Sequence, residues 1–136
     1  NPRQHHKHAY YLIKNSDIGG LTAEEIEIVA NIARYHRRSV PSAKHEGYAG
    51  LSVKLKRTVR MLSALLRVAD ALDRTHFSAV QTVNVKIRQS QLTIEATVSG
   101  DAAMEIWSAS QRVDLLQQVF RRRVQCVEVP QESEKS

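Results

Sequence analysis

Residues 83–100 read VNVKIRQSQLTIEATVSG, and here the spacing of apolar residues changes from the helical period to a period of two. Apolar and polar side chains alternate on both sides of the polar triplet Gln89-Ser90-Gln91. Such alternation is typical of a strand with one buried face, and a short polar break between two such runs is typical of a turn. The stretch therefore predicts a β-hairpin with one buried face.

A helix and a last strand are predicted after this hairpin. Ser99-Gly100-Asp101 ends the hairpin, and a helical pattern runs from about 102 to 122. Its apolar stripe consists of Ile106, Ala109, Val113, Leu116 and Phe120. Trp107 lies beside the stripe, and we expect Trp107 and Phe120 to be core residues rather than base-stacking platforms. A strand at 124–129, with Cys126 buried in it, completes a β-β-α-β unit whose crossover should be right-handed.

Three helices are predicted before the hairpin. Residues 5–14 are apolar enough for a first helix, which a polar, glycine-containing stretch then ends. Thr22 and Glu25 have the spacing of a capping box, so a second helix should start there and run through Arg37. A third helix is predicted at 51–72. Its apolar stripe consists of Leu55, Val59, Leu62, Leu66 and Ala69.

The order of these elements predicts an α+β chain with two parts. We expect a helical domain at 1–78, a small β-β-α-β domain at 80–130 and a disordered polar tail at 131–136, with the domain boundary near Ser78. A chain of 136 residues has room for one ordinary domain or two small ones, so a multi-domain enzyme does not fit within it.

Composition favours an anionic partner. Lys and Arg number 20 against 14 Asp and Glu, which gives a formal net charge of +6. A basic balance favours polyphosphate, nucleotide or nucleic acid, although charge can also serve solubility alone. Aromatic residues are only 5% of the chain, which argues against a binder of single-stranded nucleic acid.

We expect a cytoplasmic protein that does not span a membrane. No apolar run approaches the roughly 20 residues that span a bilayer, and the first residues resemble neither a signal peptide nor a transit peptide. Cys126 is the single cysteine, so the chain cannot form an internal disulfide.

Histidine and aspartate residues raise the hypothesis of a metal centre. Neutral imidazole and carboxylate groups can hold a divalent ion whose bound water becomes a nucleophile. The groups that could act together are the N-terminal histidines, His36, His45, Asp70 and Asp73. The alternative is that the N-terminal histidines are solvated and that Asp70 pairs with Arg67 or Arg74, at helical spacing.

Basic residues crowd the first turns of the helix predicted at 51–72. The cluster consists of Lys54, Lys56, Arg57 and Arg60. The helix dipole disfavours cations at this end, so local stability does not explain them and an anionic partner becomes a hypothesis. Arg37 and Arg38 form a further basic pair at a helix end, where cations complement the dipole or could bind an anion.

Three ordered blocks carry a family resemblance. They are HHKHAYYLIKNSDIGGLTAEEIEIVANIARYHRRSVP at 5–41, LLRVADALDRTH at 65–76 and EIWSASQRVDLLQQVFRRRVQCVEV at 105–129. Together they resemble the C-terminal region of the exopolyphosphatase/guanosine pentaphosphate phosphohydrolase family. Blocks of this length are far more specific than a short motif.

The resemblance implies a fold and a role. In that family, actin-like domains carry the phosphohydrolase site, a helical domain similar to HD-type phosphohydrolases follows, and a small α/β domain can come last. Residues 1–78 would then be most of the HD-like domain, without the helix that bears the adjacent His-Asp pair, since no His-Asp dipeptide occurs in the chain. Of the HD pattern, Asp70 matches, and the resemblance implies His36, His5 and His6 as candidate further metal ligands. A metal centre without the His-Asp pair should bind its ion weakly.

The resemblance implies a fragment of a bacterial, cytoplasmic, Mg²⁺-dependent hydrolase of phosphoanhydride bonds in polyphosphate or guanosine pentaphosphate. The fragment itself is expected to hold no catalytic residue and to form a homodimer. It is also expected to bind polyphosphate through its basic residues Lys54, Lys56, Arg57, Arg60, Arg37 and Arg38. Two alternatives stay open, namely an HD-type metal-dependent phosphohydrolase and a purely structural dimerisation module.

Overall fold

The computed structural model describes residues 2–37 and 39–131, and side chains from residue 7 onward. The elements are α1 (Pro2–Lys14), α2 (Ala23–Tyr35), α3 (Glu46–Ala49), α4 (Val53–Leu72), β1 (Val80–Ile87), β2 (Gln91–Val98), α5 (Ala103–Ser110), α6 (Asp114–Phe120) and β3 (Arg123–Pro130). Helices plus a three-stranded mixed sheet confirm the α+β class. The contacts divide the chain into two compact units, Asn1–Leu66 and Arg67–Ser136.

The predicted capping box starts α2. The backbone N–H of Thr22 donates to Glu25 Oε1 at 2.9 Å, and the N–H of Glu25 donates to Thr22 Oγ1 at 3.1 Å. These reciprocal bonds satisfy two amides that have no partner within the helix. The helix ends at Tyr35, with His36 as its C-cap, two residues earlier than expected.

A small aromatic core holds the first unit together. Tyr35, Tyr48 and Val59 are buried in it, and Ile28 and Leu51 pack against them. The rings of Tyr35 and Tyr48 meet edge to face with centroids 6.2 Å apart, a favoured geometry for aromatic pairs. Tyr48 comes from α3, a single helical turn that the sequence pattern did not predict because four residues cannot display a helical period.

Helix α1 packs on α2 around Tyr10. The Tyr10 ring is buried, and its hydroxyl donates to Glu27 Oε1 at 2.8 Å. Lys14 Nζ lies 3.7 Å from the other oxygen of the same carboxylate. One glutamate thus ties two positions of α1 to the middle of α2.

Helix α4 buries a different face from the one expected. Val59 is buried as predicted, but Leu62, Leu66 and Ala69 of the predicted stripe are exposed. The buried side of the helix consists of Val59, Ser63, Ala64, Arg67, Val68, Ala71 and Leu72. The prediction was wrong because it assumed that leucines mark the core, whereas small and polar residues can pack where another element approaches closely.

The second unit is built on a sheet of order β1-β2-β3. Strands β1 and β2 pair antiparallel, and the N–H of Arg88 donates to the carbonyl of Gln91 at 2.8 Å across the turn. Strand β3 lies parallel to β2, with Leu92 opposite Val124 and Ile94 opposite Cys126. The predicted hairpin and the predicted last strand are both confirmed.

The buried face of the hairpin is fully covered only on β2. There Leu92, Ile94, Ala96 and Val98 are buried. Their neighbours across the ladder on β1, Val83, Val85 and Ile87, remain 47%, 49% and 50% exposed. The alternation correctly predicted the pairing of β1, but the expected burial of its apolar face was wrong, because alternation does not show what covers a face.

Two short helices replace the single helix predicted at 102–122. Helix α5 ends at Ser110, whose hydroxyl donates to the carbonyl of Ile106 at 2.8 Å, and α6 starts at Asp114. A serine hydroxyl that bonds a carbonyl of its own helix slightly destabilises that helix. An aspartate is favoured in the first turn of a helix. The break allows consecutive Leu115 and Leu116 to be buried together.

Two single-residue predictions had different outcomes. Trp107 is 64% exposed, so its assignment to the core was wrong and that argument against nucleic-acid binding is lost. Cys126 is buried in β3 as predicted, and burial raises the pKa of its thiol. The expected tail at 131–136 lies outside the described residues except for Gln131, and the domain boundary near Ser78 stays a prediction.

Candidate functional site

The basic cluster predicted at the start of α4 lies in the first two turns of that helix. Lys54 and Arg57 are exposed, and among the described residues neither of them forms an ion pair. Lys56 is half-buried, with its Nζ 5.7 Å from the centroid of the Tyr48 ring. Arg60 is also half-buried. The cluster therefore combines two free cations with two that the fold holds in place.

The position of this cluster costs stability. Ser52 Oγ caps the helix by accepting from the backbone N–H of Leu55 at 3.2 Å. The other backbone N–H groups of the first turn that have no partner within the helix point toward its N-terminal end. Their partial positive charge repels Lys54 and Lys56 and attracts anions. Groups that oppose the local field fit a surface that receives a negatively charged ligand.

The other two predicted polyphosphate contacts are less informative. Arg37 is exposed just beyond the end of α2, where a cation complements the helix dipole. Arg38 lies outside the described residues. Polyphosphate binding by these two residues stays a prediction.

A second basic site, which the sequence analysis did not identify, lies in the first unit. A cleft of about 380 Å³ is lined by Lys7, Tyr10, Tyr11, Arg34, Lys44, His45, Glu46 and Gly47. We call it the basic cleft, since Lys7, Arg34, Lys44 and His45 line it and Glu46 is its one carboxylate. Its residues come from α1, α2 and the start of α3, so no local motif marks it.

His45 occupies a constrained position in the basic cleft. Its Nδ1 lies 2.7 Å from the Tyr35 hydroxyl, and the two rings stack with centroids 5.5 Å apart. Burial, followed by the charges of Arg34 and Lys7, lowers the pKa of His45. Burial raises the pKa of Tyr35 to about 12, so its hydroxyl stays protonated.

Gly47, which lines the basic cleft, is closely packed against α1 and α2. Asn31 is fully buried, and its side-chain amide donates to the carbonyls of Glu27 and Gly47 at 2.9 and 3.2 Å. At Gly47 a Cβ atom would collide with the ring and hydroxyl of Tyr10. Glycine is therefore required here for α3 to approach α1.

The structure does not assemble the candidate metal ligands within its described part. His36 is a helix C-cap whose Nδ1 lies 2.7 Å from the Ala33 carbonyl, and Asp70 is half-buried in α4. No group of three or more His, Cys, Asp and Glu residues suited to a metal ion occurs among the described side chains. The side chains of His5 and His6 fall outside them, so the metal centre stays a prediction.

Two buried charged groups in the second unit were also not predicted. Arg67 is almost fully buried, with its Nη2 3.9 Å from Asp114 Oδ1, and burial lowers its pKa. Glu105 is buried and accepts a 2.5 Å hydrogen bond from the Thr75 hydroxyl. Asp73 lies just past the end of α4, and its Oδ2 is 3.2 Å from His76 Nδ1. These contacts account for the charges as parts of the fold.

None of the helices in the described part of the chain combines the length and the apolar character needed to cross a bilayer.

Comparison with known families agrees with the resemblance. A family model described as Ppx/GppA phosphatase, domain III, matches residues 1–118. The match covers the helical first unit, with both basic sites, and continues through the hairpin to α6. It confirms the expected relationship to the C-terminal region of the exopolyphosphatase and guanosine pentaphosphate phosphohydrolase enzymes. The chain belongs to the Ppx/GppA phosphatase family, and residues 1–118 correspond to domain III of that family.

Proposed function

We propose that this chain is the polyphosphate-binding and dimerisation part of a bacterial exopolyphosphatase or guanosine pentaphosphate phosphohydrolase. The observation that carries the proposal is the basic cluster at the start of α4, where Lys54 and Arg57 are exposed at the helix end that disfavours cations. A polyphosphate chain bears about one negative charge per phosphate. Binding it there releases counterions and needs no sequence-specific contact.

The direct test is a titration of the purified chain with long-chain polyphosphate at two salt concentrations. We expect salt-sensitive binding. The double variant Lys54→Gln/Arg57→Gln should weaken it and reduce the slope of log affinity against log salt by roughly 1 to 2. Because both side chains are exposed, the substitutions should leave the fold intact.

A charge-matched control separates a binding site from net charge. The double variant Arg74→Gln/Arg88→Gln removes two exposed cations from the second unit. We expect it to bind polyphosphate almost as well as the parent chain. Equal losses in the two double variants, or no polyphosphate binding at either salt concentration, would reject the α4 cluster as the site.

A dimerisation module without polyphosphate affinity is the second candidate. Three leucines of α4, Leu62, Leu65 and Leu66, are exposed, and exposed apolar surface of this kind is typical of a protein interface. Light scattering coupled to size-exclusion chromatography measures the mass directly. A dimer that Leu65→Glu dissociates, in a chain that does not bind polyphosphate, would favour this candidate.

The remaining features of the proposal concern the parent enzyme. Mg²⁺ is its proposed cofactor, polyphosphate or guanosine pentaphosphate its substrate, and the bacterial cytoplasm its location. The family comprises phosphatases, which supports the hydrolytic chemistry. The described residues contribute no grouped metal ligands to it.

A further inference from the structure

The basic cleft concentrates positive charge in a concave site. Lys7, Arg34 and Lys44 reach it from three different parts of the chain, and Glu46 supplies the one carboxylate of its lining. The charges of Lys7 and Arg34 act directly on His45. Walls of low dielectric focus such a field, so a cleft in which positive charges outnumber negative ones raises the local concentration of anions.

His45 lines this cleft with one of its ring nitrogens already engaged. The Tyr35 hydroxyl stays protonated and lies 2.7 Å from His45 Nδ1. A neutral imidazole with Nδ1 as acceptor carries its proton on Nε2. Since Nδ1 is engaged by Tyr35, Nε2 is the ring nitrogen that remains for a ligand, and it carries a proton to donate when the Tyr35 hydroxyl donates to Nδ1.

The donors match an oxyanion with several oxygens. The lining of the cleft supplies one imidazole, one guanidinium and two ammonium groups, from residues on different segments of the chain. A carboxylate has two oxygens in one plane, whereas a phosphoryl group offers three or more oxygens to donors that approach from several sides. The cleft volume of about 380 Å³ also leaves room for more than one phosphate.

We propose that the basic cleft binds a phosphoryl group, held by the Nε2–H of His45 and by the cationic groups of Lys7, Arg34 and Lys44. This site shares no lining residue with the α4 cluster and does not depend on the function proposed above. It takes the end of a phosphate chain or a free phosphate, whereas the α4 cluster would hold the length of a polyanion.

The test is a magnetic resonance titration of the full, isotope-labelled chain with pyrophosphate at constant ionic strength. We expect saturable shifts of the His45 ring and of the amides around Lys44. Arg34→Gln should weaken binding about tenfold, because a half-buried guanidinium is lost, and exposed Lys44→Gln about two- to fivefold. Glu46→Gln removes a repulsive charge and should strengthen binding about twofold.

The controls give outcomes that overturn the proposal. Arg74→Gln makes the same change of charge outside the cleft and should leave pyrophosphate binding unchanged. Equal weakening by Arg74→Gln, the absence of saturation, or equally tight binding of acetate would reduce the cleft to general surface charge and reject the site.

Further ligands and variants separate the two proposals and the two sources of phosphate. Lys54→Gln/Arg57→Gln should leave the pyrophosphate response at His45 unchanged, and its loss in that variant would move the site to α4 and overturn the cleft. Tripolyphosphate binding more tightly than orthophosphate would assign the site to a chain end, and equal binding would assign it to free phosphate.

Discussion

At the scale of single residues, the contact between Tyr35 and His45 has consequences that can be measured without any ligand. The buried hydroxyl of Tyr35 is hydrogen-bonded to Nδ1 of His45 at 2.7 Å, and the charges of Arg34 and Lys7 act on the imidazole. Each group is held in its neutral form, the phenol by burial and the imidazole by burial and by Arg34 and Lys7. The stability of the first unit should therefore depend on pH in both the acid and the alkaline range.

We predict that the pKa of His45 lies below the ordinary histidine value of about 6.5. Just below that pH, the unfolded chain binds a proton that folded His45 does not take up, so stability should fall as the pH drops through this window. A magnetic resonance pH titration gives the pKa. Arg34→Gln should raise it and Arg74→Gln should not, and a pKa at or above the ordinary value would contradict the packing around His45.

At alkaline pH we predict the opposite slope. The pKa of Tyr35 is raised to about 12, whereas an unfolded tyrosine titrates near 10. Between these values the unfolded chain releases a proton that folded Tyr35 keeps, so stability should fall as the pH rises. Urea unfolding across this range measures the slope. Tyr35→Phe should flatten it, and an equally steep loss in that variant would assign the effect to another group.

Individual site residues were only partly predictable from the sequence. The charges of Lys54 and Arg57 stood out because a helix N-terminus disfavours them, which is a local rule. Lys7, Arg34 and His45 gave no such signal, since they are far apart in sequence and only the packing of α1 and α3 on α2 brings them together. The exposure of Trp107 was missed because the stripe it adjoins is broken between α5 and α6.

At the scale of secondary-structure elements, the approach of α3 to α1 rests on Gly47. Gly47→Ala should destabilise the first unit by about 1–3 kcal/mol, because the added methyl group collides with Tyr10. Urea unfolding with Gly50→Ala as the matched control tests this. At Gly50 the nearest atom to an added Cβ is the Glu46 carbonyl oxygen at 3.5 Å, so its stability should change by less than about 1 kcal/mol. Similar losses in both variants would refute the close contact.

Elements with a complete local signal were predicted well. The capping box of α2, the hairpin turn and the alternation of β2 each lie within a few residues, and each appears in the structure. The buried face of α4 was not predicted, because Ser63 and Arg67 are buried while Leu62 and Leu66 are exposed. Which side of an amphipathic helix is buried depends on the elements that pack against it, and the sequence pattern of the helix alone does not identify them.

At the scale of the whole molecule, we predict that these 136 residues alone release no phosphate from polyphosphate or guanosine pentaphosphate. The family resemblance places the phosphohydrolase site in actin-like domains that this sequence does not include. A phosphate-release assay with divalent metal present tests it. Turnover by the purified chain that is lost in Asp70→Ala would refute the prediction and support an HD-type metal-dependent hydrolase.

The half-exposed apolar face of edge strand β1 should influence how readily copies of the protein aggregate in concentrated solution. Its ladder with β2 is irregular between Val80 and Thr82, and Lys86 places a charge on the strand, held 3.3 Å from Glu95. Bulges and lysines on an edge strand hinder stacking of copies into fibrils, whereas an apolar face such as that of Val83 and Val85 promotes it. Replacing Lys86 by a neutral β-branched residue should therefore promote aggregation, measured as turbidity that increases with protein concentration. This effect should appear before any loss of folding or ligand affinity.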